Sequence, residues 1–172
     1  MYMIQKLHTP FLDEVMKGIT FLGESGWFWI LVAVLLFCQK RTRKIGLAVA
    51  LSLAVGLLLG NIILKPLIAR QRPCWLEPAV ELLDRVPGDS SFPSGHSLVS
   101  FEGAVCIFLF NRKWGIPALM LAVLIAFSRL YLFVHFPTDV LAGIIMGTVI
   151  AWSVVRTAKR RTEKADRVPG DP

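Results

Sequence analysis

The chain has 172 residues, 55% of them hydrophobic and 18% charged, with a mean hydropathy of +0.60, a balance that leaves too little polar surface to coat an ordinary water-soluble domain of this size. A membrane span takes about 20 apolar residues, so residues 1–172 read as a single membrane unit with short loops and no room for a second domain. The net charge of +7 suits nucleic acid or anionic lipid, and its placement decides between them, while Cys38, Cys74 and Cys106 are too few and too scattered for a disulfide framework or a cysteine zinc site.

Residues 10–20 (PFLDEVMKGIT) alternate apolar and charged side chains at helical spacing, which predicts an amphipathic helix on the membrane surface. Apolar stretches follow at 23–38, 45–68, 94–110, 114–134 and 138–155, predicting five transmembrane helices. The first is the weakest, since its uninterrupted apolar part starts at Gly26 and the span must take in Glu24.

Lys40, Arg41, Arg43, Lys44, Arg112, Lys113 and six basic residues after Val155 fall on the side that five alternating spans make common. The positive-inside rule makes that side cytoplasmic, so topology accounts for most of the charge and no nucleic-acid partner is expected. The opposite side receives the N-terminus, the connection 69–93 and the turn 135–137. The polar segment 159–172 reads as a disordered cytoplasmic tail.

Three stretches deliver cations and imidazoles to the non-cytoplasmic face. The first runs from Lys65 to Arg72 and Pro73 at the end of the second span. Two cations seven residues apart can reach one anion from different sides, although cations at a helix end also snorkel to lipid headgroups. The second is Ser91-Phe92-Pro93-Ser94-Gly95-His96, opening the third span. Free N–H groups and the macrodipole at a helix start favour an anion, and an ordinary helix cap explains Pro-Ser-Gly equally well. The third contains Ser128, Arg129, His135, Pro137 and Asp139. An aspartate four residues after a histidine can accept a hydrogen bond from one ring nitrogen and leave the other as a lone pair, or it can simply cap the fifth span.

Taken together, Lys65, Arg72 and Pro73, then Pro93, Ser94, Gly95 and His96, then Ser128, Arg129, His135 and Asp139 resemble, in order and spacing, the signature of the type 2 phosphatidic acid phosphatase superfamily. The resemblance implies an all-α, polytopic membrane bundle of five or six transmembrane helices, here with the N-terminal amphipathic helix added. It also implies a lipid phosphatase in which His135 attacks phosphorus to form a phosphohistidine, Asp139 orients it, and His96 protonates the leaving oxygen and later activates water. Lys65, Arg72, Ser94, Gly95 and Arg129 would hold the phosphate oxygens. No cofactor and no metal are expected, because the cations take the place of magnesium. The same signature occurs in vanadium haloperoxidases, which resemble this chain in the motifs alone.

The expected partners are the bilayer and a membrane lipid phosphate, with the site facing the non-cytoplasmic side of the cell membrane. Undecaprenyl diphosphate is the favoured substrate, and phosphatidylglycerophosphate or phosphatidic acid are the alternatives. A protein that binds or transports lipid phosphates without hydrolysis is the competing class. Outside the motifs, Glu102 inside the third span is expected in a paired, interior-facing structural role or at a water-filled cavity, His8 facing solvent, Cys74 as a free thiol, Tyr131 and Phe133 in packing or facing lipid, and Trp75 at a lipid entrance.

Overall fold

The computed structural model describes residues 2–77, 79, 80 and 82–166, and among them every regular element is helical. A short α1 (Tyr2–Gln5) precedes α2 (Pro10–Phe21), which Thr9 caps by accepting a hydrogen bond from the Leu12 amide at 3.2 Å. Ser25 and Gly26 adopt left-handed backbone (φ 50° and 70°) in the single turn that leads to α3 (Trp27–Cys38). The two helices on either side are bent by 43°. Helix α4 (Arg43–Gly56) runs on through a π-helical segment, Leu57–Leu64, into α5 (Lys65–Ile68), and α6 (Pro73–Leu76) follows. Helices α7 (Gly95–Phe110), α8 (Arg112–Tyr131) and α9 (Pro137–Asp166) complete the bundle.

Helix α7 is the axis. A helix apolar on every side belongs in an interior, and α7 packs against α4, α8 and α9, with every residue from Ser100 to Ile107 buried. Small residues permit the close approach. A Cβ at Gly147 of α9 would lie 2.5 Å from the Leu98 carbonyl oxygen, and one at Gly143 2.6 Å from that of Ser94. The indole of Trp29 packs on Gly103 and donates to the Ser100 hydroxyl at 3.1 Å, fastening α3 to the same axis.

All five predicted apolar stretches form helices. Among the described residues three helical runs, Arg43–Leu76, Arg112–Tyr131 and Pro137–Arg161, are each long and apolar enough to cross a membrane. Helix α3 reaches that length only together with α2 across the bend. Helix α7 has 16 residues, about 24 Å of rise, shorter than a full span but enclosed by its neighbours. Ile62, Met120, Val123, Leu141, Ile145 and Val149 are exposed around the outside, a surface suited to lipid chains.

The amphipathic segment forms α2 and packs against the end of α8. Met16 of α2 is buried in a cluster with Tyr131, Leu132, Phe133 and Val134 at the end of α8, and the Tyr131 hydroxyl donates to Asp13 at 2.6 Å. His8, expected in solvent, stacks on Tyr131 at 4.5 Å between ring centroids. Cys74 is free, as expected, and buried. Helix α9 continues to Asp166, so residues 159–166, expected to be disordered, are helical; residues 167–172 lie outside the described residues. Glu102 faces the interior, fully buried against Gly56, and no basic side chain pairs with it among the described residues, so the paired alternative is not what the structure shows.

The packing of α9 on α7 gives a direct test. Gly147→Val should lower stability by about 1–3 kcal/mol through overpacking, seen as a lower thermal midpoint in detergent. An unchanged midpoint would contradict this contact.

Candidate active site

The end of the bundle where α5, α7 and α9 meet is assembled by its loops. The Ser91 amide donates to the Arg70 carbonyl at 2.8 Å and the Ser94 amide to the Asp139 carbonyl at 3.1 Å. These backbone bonds hold the three motif stretches together, with Pro73 and Pro137 opening α6 and α9, where a missing N–H costs nothing.

Arg72 is buried to 2% exposure, and its guanidinium is met on every side. Nε donates to the Asp89 carbonyl at 2.7 Å, Nη1 to the Val134 carbonyl at 2.8 Å, and Nη2 to Asp89 Oδ1 at 2.6 Å. Nη1 also stands 3.1 Å from His135 Nε2. Lys65 Nζ pairs with the other oxygen of Asp89, so one carboxylate bridges both cations. The Asp89 carboxyl lies at about 2: burial alone would raise it, but hydrogen bonds and charge from Lys65 and Arg72 override that effect.

His135 and Asp139 are both buried, with Nδ1 and Oδ2 3.7 Å apart. That separation is too long for the direct hydrogen bond expected from the sequence. The hydroxyl of Ser91 stands between them, donating to Asp139 Oδ2 at 2.5 Å and lying 3.4 Å from His135 Nδ1. A hydroxyl carries one proton, so Ser91 can only accept from the ring; Nδ1 then bears the hydrogen and Nε2 is the lone pair facing Arg72. Asp139 is itself fixed by the Phe136 amide at 2.9 Å and by Arg70 Nη1 at 2.6 Å. Arg70 also bonds Thr138 at 2.7 Å and lies 4.2 Å over the Phe136 ring.

A cavity of about 1160 Å³ brings together Lys65, Arg72, Gly95, His96, Arg129 and His135. Arg129 donates to Thr20 of α2 at 2.6 Å, while its Nε is buried without a partner. No carboxylate pairs with it among the described residues, leaving it free for an anion. The His96 ring packs where Gly23 lacks a side chain. Ser94 does not line the cavity. It is fully buried and its oxygen caps α7, accepting from the Ser97 amide at 3.4 Å and the Ser97 hydroxyl at 3.0 Å. Asp139 lies behind His135. Away from the cations the cavity continues between α3 and α4, past Ile30, Val34, Phe37, Leu47, Leu53 and Leu57. Ile30, Val34, Phe37 and Leu47 are also exposed, so this apolar part opens sideways toward lipid.

Sequence reasoning missed the roles of Ser91, Arg70 and Asp89. Ser91 and Arg70 belong to the stretches it quoted, but only the folded loops reveal their partners.

A sequence model described as the PAP2 superfamily matches residues 43–163. An undecaprenyl-diphosphatase from Sulfolobus acidocaldarius is 39% identical over 141 residues, covering 80% of this chain and 68% of its own length. Among solved structures, a transmembrane PAP2-type phosphatidylglycerolphosphate phosphatase from Bacillus subtilis aligns with a TM-score of 0.71 and 31% identity over 96% of this chain and 86% of its own. Aquifex aeolicus LpxE aligns with a TM-score of 0.73 and 25% identity over 90% and 91%.

His135 titrates at about 4, well below the 6.5 of a free imidazole. Burial disfavours the imidazolium most, the Asp139 carboxylate opposes it, and the charges of Arg72 and Arg129 add to the depression. The unfolded chain therefore binds this proton at higher pH than the folded one. The stability supplied by neutral His135 is complete above pH 6.5 and is lost as pH falls toward about 4. The thermal midpoint of the parent should drop across that window, and His135→Gln should drop less. Parallel curves for the two proteins would contradict the assignment.

Proposed function

The chain belongs to the PAP2 superfamily, and from that premise we propose that it removes the terminal phosphate of a polyprenyl diphosphate, with undecaprenyl diphosphate as substrate, through a phosphohistidine at His135. It is an integral membrane lipid phosphatase. The observation that carries the mechanism is the opposition of the two ring nitrogens of His135: Nδ1 tied to Asp139 through Ser91, Nε2 facing Arg72 and the cavity.

In this reading Lys65, Arg72 and Arg129 hold the non-bridging oxygens of the terminal phosphate, aided by the Gly95 N–H. That phosphate carries about −1.5 to −2 charge near neutral pH, and fixed cations meet it without reorganising in the transition state. The lone pair of His135 Nε2 forms a bond to phosphorus while the bond from phosphorus to the bridging oxygen breaks. His96 gives that oxygen its proton, releasing the lipid monophosphate. Neutral His96 then takes a proton from water, whose oxygen attacks phosphorus and breaks the P–N bond, freeing inorganic phosphate and His135. Asp139 and Ser91 keep Nδ1 protonated in the ground state and stabilise the ring as it becomes cationic. Ser94 supports the site from beneath by capping α7.

The apolar branch between α3 and α4 supports a lipid substrate whose tail stays in the bilayer while its headgroup reaches the cations. The named activity of the Sulfolobus relative favours the diphosphate. The distribution of basic residues supports a site at the outer face of the cell membrane.

With purified protein, His135→Ala should lower kcat by about 10³-fold or more and His96→Ala by about 10²–10⁴-fold, with lipid still bound. Phosphate release should be fastest from undecaprenyl diphosphate, blocked by vanadate and indifferent to chelator. A strong preference for phosphatidylglycerophosphate or phosphatidic acid would overturn the substrate, and a requirement for added magnesium would overturn the mechanism.

A further inference from the structure

Asp89 belongs to none of the motif positions, yet it touches both cations that lead into the site. Its Oδ1 lies 2.6 Å from Arg72 Nη2 and its Oδ2 pairs with Lys65 Nζ. Two oxygens of one anion spanning an ammonium and a guanidinium are the arrangement that two oxygens of a phosphate would adopt on the same donors. We propose that Asp89 is an internal competitor for the phosphate seat: its carboxylate holds Lys65 and Arg72 between turnovers, yields them to the substrate's phosphate, and retakes them to expel inorganic phosphate. This rests on the reading of Lys65 and Arg72 as phosphate-holding groups.

The geometry separates what must stay from what can move. Arg72 is fixed by two backbone carbonyls, those of Asp89 and Val134, through Nε and Nη1. Only Nη2 is committed to the Asp89 side chain, apart from a longer contact of 3.4 Å to the Ser90 carbonyl. Rotation of one carboxylate therefore frees a donor on each cation while the guanidinium keeps its place. Asp89 is the partner able to rotate: its side chain is 53% exposed, against 3% for Arg72 and 14% for Lys65. A phosphate outcompetes it by carrying more charge and by reaching Arg129 as well. Once the lipid has left, inorganic phosphate keeps its cations but loses the anchorage of a tail, and a tethered carboxylate at high effective concentration displaces it. With its carboxyl at about 2, Asp89 remains ionised and available throughout the neutral range.

The test compares the full chain in detergent with Asp89→Asn and Asp89→Ala. If the carboxylate competes, both variants should bind anions more tightly. The inhibition constants of inorganic phosphate and orthovanadate should fall about tenfold, and KM should fall with them. The vanadate concentration that raises the thermal midpoint should fall by the same factor, a readout independent of turnover. If the variants bind phosphate and vanadate no tighter than the parent, or more weakly, Asp89 positions the cations and the competitor role is overturned alone. If neither anion inhibits or stabilises the parent, the phosphate-holding reading of Lys65 and Arg72 fails first, and the competitor role falls with it.

Discussion

A buried guanidinium is costly unless its N–H groups are met, because an unpaired buried charge costs far more than a lost hydrogen bond. Arg72 satisfies that condition with groups from two separate loops, the carbonyls of Asp89 and Val134 and the Asp89 carboxylate. The same contacts place it 3.1 Å from His135 Nε2. The requirement that buries the arginine thus also aligns the turn 132–136 with the connection between α6 and α7. Asp139 repeats the principle with opposite sign, its two oxygens met by Arg70, Ser91 and the Phe136 amide. Arg72 and Asp139 are each fixed by neighbours that include distant parts of the chain, and a rigid constellation results.

The bundle explains why that constellation lies where it does. Helix α7 is wrapped by α4, α8 and α9, and glycines of α9 let the two backbones approach. Irregular backbone at the helix ends is acceptable there because its polar groups are paired within the protein. One cavity then has two chemically different halves, a cationic end at the loops and an apolar branch between α3 and α4. A molecule with a phosphate at one end and a hydrocarbon chain at the other matches both halves at once, which a soluble phosphate ester would not.

Much of this was legible in the sequence, for identifiable reasons. Apolar runs located all five main helices, since lipid and an interior axis both demand apolar side chains over fixed lengths. Spacing and residue type singled out Lys65, Arg72, Gly95, His96, Arg129 and His135, and these line one cavity. What the sequence hid was pairing. The distance between residues 135 and 139 suggested a direct bond, whereas loop geometry inserts Ser91 from 44 residues away. Ser94 reads as a phosphate donor, but its oxygen is engaged in capping α7. The partner of α2 was equally invisible: hydrophobic periodicity gives a face, and only the fold reveals that the end of α8 covers it through Tyr131 and Arg129. Glu102 remains without a physical account; it lies buried against Gly56 in the middle of the axis helix.

The central claim is a covalent bond between phosphorus and His135, and a rapid-quench experiment reads it most directly. Protein mixed with a lipid diphosphate carrying radioactive terminal phosphate, then denatured in alkali, should retain label that is released by acid, as a phosphorus–nitrogen bond requires, and that maps to the peptide containing His135. His135→Asn should retain none. Turnover with no bound label at any quench time, or label mapping to another residue, would contradict the account.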